Sequence, residues 1–263
     1  LSLPYFPEEA SVIKTCVAGL GALALAVGAA RPAQAQLAAN PVYVSPKAPT
    51  GLTVAADFGT TLSTKVTVAG TPVSATTKPN HVGLRATLGL PVIAIGIGAG
   101  QYNSDVTGAD KEIQFAGNLG LKVFSPPLVP VGIGINAGAG YLKVGTGANA
   151  VKYVNIPIGL GIAVKPPSPS VSFEVWGSPR VQLNAVSAPT GKRTQAGIGA
   201  SGGVNVGMPM GLGLHIAADW TRMSAKASAG TGSLTLPETR TLVLGLGLHY
   251  TFTIPGLPMV PVI

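Results

Sequence analysis

The chain has 263 residues and a formal charge of +8, with only 10% charged and 46% hydrophobic side chains. That balance excludes a disordered polyelectrolyte, and a single cysteine, Cys16, excludes a disulfide-built scaffold. After residue 35 no apolar run reaches the roughly 18 residues a spanning helix needs, so helical membrane spanning is excluded as well.

In chain order, residues 1–35 read as an upstream extension plus a cleavable signal peptide. Lys14 supplies the positive n-region, residues 17–30 the apolar h-region, and Ala33-Gln34-Ala35 the small-residue site, with cleavage after Ala35. Its removal leaves the charge at +8, because Lys14 and Arg31 depart together with Glu8 and Glu9, and it takes Cys16 away. Residues 36–50, with Pro41, Pro46 and Pro49, read as an extended periplasmic lead-in. Strands are then expected at 51–60, 81–90, 92–102, 113–124, 131–143, 152–165, 171–183, 194–207, 211–223 and 240–252. Each alternates apolar with small or polar residues, most plainly in Ile93-Ala94-Ile95-Gly96-Ile97-Gly98, so one face is greasy and the other nearly bare. Residues 254–263 form a Pro-rich tail.

The joints sort by length. Four are tight and rich in turn formers (Leu90-Pro91, 125–130, 165–169 and 208–210), and five are longer and polar (61–80, 103–112, 144–151, 184–193 and 224–239). Short and long alternate strictly, which a soluble β-sandwich has no reason to do. The expected fold is therefore all-β: an antiparallel up-and-down transmembrane barrel of about ten strands over 51–253, with eight as the alternative.

Strand parity assigns the faces. Leu84, Ile95, Ile97, Leu119, Ile135, Ile158, Leu160, Ile216, Leu246 and Leu248 fall outward. The lumen-lining candidates are Asp57, Arg85, Lys122, Glu174, Arg180, His215 and Asp219. A charge on the lipid face at mid-membrane costs roughly 2–4 kcal/mol for Arg or Lys, which gives the sorting a cause. Inward glycines, among them Gly132, Gly134, Gly161, Gly245 and Gly247, leave room for a thin path or serve strand curvature. A plug of ion pairs among Asp57, Arg85, Glu174, Arg180 and Asp219 is preferred over an open path, since small barrels fill with their own side chains. Aromatics near strand ends are assigned to membrane girdles: Phe58, Tyr102, Phe115, Tyr141, Tyr153 and Trp220 at one level, Tyr250 and Phe252 at the other.

Two segments carry a family resemblance. Asn155-Ile156-Pro157-Ile158-Gly159-Leu160-Gly161 is similar to a strand common in small outer-membrane barrels, and Leu246-Gly247-Leu248-His249-Tyr250-Thr251-Phe252 resembles their terminal strand. The chain thus resembles the OmpA-like, OmpW-like and OmpX-like bacterial barrels, although eleven residues follow Phe252. The resemblance implies a porin-like outer-membrane protein of a Gram-negative cell, threaded by the barrel-insertion machinery and surrounded by outer-membrane lipids and lipopolysaccharide. Basic residues in the long loops, such as Lys65, Lys143 and Lys192, suit lipopolysaccharide phosphates.

The expected role is structural or passive, with a narrow pore for ions or small solutes within its range. A surface adhesion barrel acting through loops 61–80 and 224–239 is the alternative, and a lipid-modifying enzyme a weaker one. No enzyme, cofactor, metal or nucleic-acid site is assigned. Gly197 to Gly202 matches G-x-G-x-x-G and Gly199 to Gly203 matches G-x-S-x-G, but neither lies between a strand and a helix, as its chemistry requires. His81, His215 and His249 lack metal-ligand spacing. Oligomeric state is not legible.

Overall fold

A computed structural model describes residues 37–68, 70–126, 129–168, 170–226 and 234–254. The expected signal peptide and most of the C-terminal tail lie outside the described residues.

Eleven strands follow one another: β1 (Gly51–Val68), β2 (Thr71–Ser74), β3 (Asn80–Gly89), β4 (Ile93–Asn103), β5 (Glu112–Phe124), β6 (Val131–Val144), β7 (Val151–Val164), β8 (Ser172–Ala188), β9 (Gly191–Gly207), β10 (Leu212–Met223) and β11 (Glu238–Phe252). Every neighbouring pair is antiparallel, and β11 pairs back onto β1 from Leu52↔Phe252 to Thr67↔Glu238. Ten strands therefore close into a barrel, and β2 only extends the far end of β1 as a short hairpin arm. Closure satisfies the backbone of every stave without leaving an edge, the condition for a sheet surrounded by lipid.

Alternation in the sequence becomes alternation of exposure. Along β10 the residues from Leu212 to Met223 switch strictly between exposed and buried. Ile97, Leu119, Ile158, Leu160, Leu246 and Leu248 are each about half exposed on the outer wall, an aliphatic band with no counterpart in a soluble sandwich.

Two boundaries differ from expectation. The joint expected at 184–193 is mostly strand, because β8 and β9 run 17 residues each and only Pro189 and Thr190 separate them. Likewise 61–80 is occupied by the upper part of β1 and by β2. Beyond the bilayer both faces meet water, so polar residues continue a strand there and the apolar alternation that marks its spanning part fades.

The larger correction concerns residues 37–50, expected as a periplasmic lead-in. They lie inside the barrel. Leu37, Ala38, Ala39, Asn40, Val42 and Tyr43 are all buried, and the segment descends the lumen to reach Gly51 at the short-turn end. The physical reason lies in the wall. A Cβ at Gly59 would fall on the Ala39 carbonyl, at Gly245 on Pro41 and the Tyr43 hydroxyl, and at Gly89 on the Pro49 carbonyl. Bare inward positions thus make a trough that accepts a strap.

Candidate functional site in the barrel lumen

The lumen has two unlike halves. Its outer half, toward the long loops, is filled. The side chain of Gln114 treats the strap as another strand would: its Oε1 accepts from the Ala38 N–H at 2.5 Å and its Nε2 donates to the Ala38 carbonyl at 3.1 Å. Over this contact Tyr102, Leu142, Tyr153, Val186 and Leu236 close into an apolar cap with Ala38 and Ala39. Leu236 belongs to the β10–β11 connection, which is pinned by its bridge to Lys226 and by Gln195 Nε2 donating to the Ser224 and Pro237 carbonyls.

The cap corrects two girdle assignments. Tyr102 and Tyr153, expected at the lipid interface, are 1% and 3% exposed and face inward. Tyr102 shares the parity of Gly98 and Gly100, and Tyr153 that of Asn155, so the strand pleat takes them to the lumen. Phe115, Tyr141, Trp220, Tyr250 and Phe252 do face outward near the strand ends, whereas Phe58 faces outward in the middle of β1, which runs on to Val68.

All seven lumen candidates point inward, but they do not form the single plug expected. They separate into two ion-paired groups and two side chains engaged elsewhere. In the first group Arg180 donates from Nη2 to Asp219 Oδ1 at 2.7 Å and to Thr221 Oγ1 at 3.0 Å, and from Nε to Gln182 at 3.1 Å. Asp219 also accepts the Val42 N–H at 3.2 Å, so this buried pair holds the strap at mid-lumen. In the second, Asp57 accepts from Arg85 Nε at 3.1 Å and from His215 Nε2 at 2.8 Å. His215 Nδ1 in turn lies 3.2 Å from His249 Nδ1, a residue not among the seven candidates although strand parity places it inward with them. Tyr43 from the strap completes the cluster, with its ring edge on His215 and Trp176 and the Arg85 guanidinium 4.8 Å from its centroid. Asp57, Arg85, His215, His249, Tyr43 and Trp176 thus meet in one cluster between the buried strap and the cavity below.

Glu174 does not pair with Arg180. It accepts from Asn205 Nδ2 at 3.0 Å, with the Ser45 side chain as a further partner. Lys122 donates to the Ala48 carbonyl at 3.0 Å. Lys47, also outside the expected set, donates to the carbonyls of Pro126 and Val129 at 2.8 and 2.7 Å and so fastens the strap to the short turn after β5.

Below Tyr43 the inner half stays open. A cavity of about 1110 Å³ reaches the short-turn mouth, lined by Arg85, Asn118, Lys165, Glu174, Trp176 and His249 among others. Among the described residues no group of His, Cys, Asp and Glu has the geometry of a metal site.

No known family model matches the chain, and no curated protein sequence matches it. Solved barrels do align with it in structure. The β domain of the Bordetella autotransporter BrkA covers 77% of this chain and 100% of its own at 13% identity and a TM-score of 0.46. The outer-membrane protease OmpT of Escherichia coli covers 78% and 97% at 13% identity and 0.41. The N-terminal β-barrel domain of Pseudomonas aeruginosa OprF covers 77% and 100% at 10% identity and 0.31.

Proposed function

We propose that the chain is an integral, non-enzymatic barrel of the bacterial outer membrane whose lumen is closed at rest by its own residues 37–50. The long-loop end then faces the outside and the short-turn end the periplasm. One observation carries the reading: the strap is 0–6% exposed from Leu37 to Ala39 and again at Val42 and Tyr43, with wall side chains tied to it from opposite sides. A structural role follows, and conduction requires the strap to move. In planar bilayers the protein should insert without discrete current steps. A steady ohmic conductance from the intact chain would contradict the closed lumen.

Contact with outer-membrane lipids and lipopolysaccharide, and assembly by the barrel-insertion machinery, belong to the same reading. Lys65, Arg240 and Arg222 are successive cross-strand neighbours, all exposed, in the row two residues beyond Trp220 on β10. Cations at that level suit lipid phosphates. A second reading, surface interaction through the external hairpins, draws on the length of β8 and β9, whose 17 residues exceed the roughly 9–11 a tilted strand needs to cross. Trimming residues 185–194 should abolish binding to cells or lipopolysaccharide if that reading holds, and leave it intact if it does not.

A further inference from the structure

We propose that the open inner half of the lumen is a binding site for a small oxyanion, a phosphate- or carboxylate-bearing solute that enters by the short-turn mouth and is held by Arg85 and Lys165. The inference rests on the closed-lumen reading, because only a strap in place turns the mouth into a blind pocket.

Charge sets the sign of the ligand. Arg85 and Lys165 line the cavity against a single lining carboxylate, Glu174, with Asp57 paired to Arg85 and with Lys47 and Lys122 near enough to act on Lys165 and Glu174. Hydrogen bonding then divides the engaged groups from the available ones. Both carboxylates are buried and occupied, Asp57 by Arg85 and His215, Glu174 by Asn205 and Ser45. Lys47 and Lys122 donate to backbone carbonyls. Arg85 spends Nε and Nη2 on Asp57 and keeps its side chain 15% exposed, so its Nη1 edge is uncommitted among the described residues. Lys165 lines the same cavity from the end of β7.

A cation entering here would find no carboxylate free to receive it, whereas an oxyanion would meet a guanidinium edge and an ammonium. Charge-assisted bonds to such donors are roughly twice as strong as neutral ones. Low-dielectric walls focus the field of like charges and concentrate counter-ions at the mouth. At about 1110 Å³ the cavity slightly exceeds the roughly 300–1,000 Å³ of ordinary small-molecule pockets, leaving the ligand room for part of its hydration.

The test is equilibrium dialysis of radiolabelled inorganic phosphate against the full chain in nanodiscs of neutral phosphatidylcholine. Saturable uptake of a single phosphate per chain is expected, competed by succinate, and weakened about fivefold or more by Lys165→Gln. Lys152→Gln, at the opposite end of the barrel, should leave it unchanged. Because neutralising Arg85 would leave Asp57 with His215 alone, the partner variant is Arg85→Lys, which keeps the charge and loses the planar fork; it should bind phosphate more weakly while remaining folded. Repeating the assay in phosphatidylglycerol nanodiscs separates the sources: reduced phosphate uptake identifies a lipid headgroup as occupant, and unchanged uptake a soluble solute. Absence of saturable binding, or equal binding by Lys165→Gln and the wild type, overturns the proposal. Bilayer current measured on the same preparation keeps the two failures apart. Steady conductance in the wild type sinks the closed-lumen reading, and no current together with no phosphate sinks the oxyanion site alone.

Discussion

The two halves of the lumen are built from the same strands, yet one is packed and the other is a cavity. In the outer half Gln114 and Asp219 grip the strap, and the Arg180–Asp219 pair has side chains 1% and 0% exposed. In the inner half the related Arg85–Asp57 pair is 15% exposed on the arginine side and opens onto solvent-sized space. The strap makes the difference, since it is buried from 37 to 43 and reaches the rim only near Lys47. A barrel of ten staves leaves more interior than its own side chains fill, and this chain spends that interior unevenly.

The sharpest way to break the contrast is to remove its cause. Deleting residues 37–46 should turn a silent barrel into one with discrete current steps, because it removes the segment that Gln114 on β5 and Asp219 on β10 grip from opposite walls. The next largest effect compares the two ion pairs. Arg180→Met leaves Asp219 charged, buried and without its cation, which should cost about 3–5 kcal/mol in urea unfolding from detergent. Arg85→Met should cost less, about 1–3 kcal/mol, because Asp57 retains His215 and the site is wetter.

Glycines sharpen the comparison further. Gly59→Val would drive a side chain into the Ala39 carbonyl and should cost about 1–3 kcal/mol while loosening the strap enough to give intermittent current. Gly117→Val is the control, since a Cβ there meets only the Gly96 carbonyl at 3.8 Å, and it should leave both readouts unchanged. Smallest of all, Lys47→Ala removes two bonds at the mouth and should lower stability by about 1 kcal/mol with no current.

The staves were legible because lipid on one side and polar groups on the other impose a period of two, as Ile93 to Gly98 displays. Closure followed from the strict alternation of joint lengths. The strap was not legible. Residues 37–50 carry no periodicity, and extended chain with three prolines looks alike in the periplasm and in a lumen. Its imprint was present elsewhere, in the inward glycines Gly59, Gly89 and Gly245, whose bare surfaces back onto Ala39, Pro49, and Pro41 with Tyr43. Free volume or curvature, the roles expected of Gly245, leave out the strap that fills the space. Tyr102 and Tyr153 lie near strand ends, where a girdle is expected, but they share the parity of Gly98 and Asn155, and the pleat decides their face. Which acid pairs with which base depends on barrel register, and no local pattern carries that: Glu174 and Arg180 share the inner face of β8 and still find different partners.

The most direct measurement is the reactivity of a thiol placed on the strap. In a Cys16→Ser background, Ala38→Cys replaces a side chain that is 4% exposed beneath the Tyr102 cap, and Ser170→Cys places an exposed reference at a short turn. With the barrel folded in bilayers, Ala38→Cys should resist a small maleimide while Ser170→Cys labels at once, and both should label in denaturant. Equal rapid labelling of the two in the folded protein would put residues 37–50 outside the lumen and contradict the account.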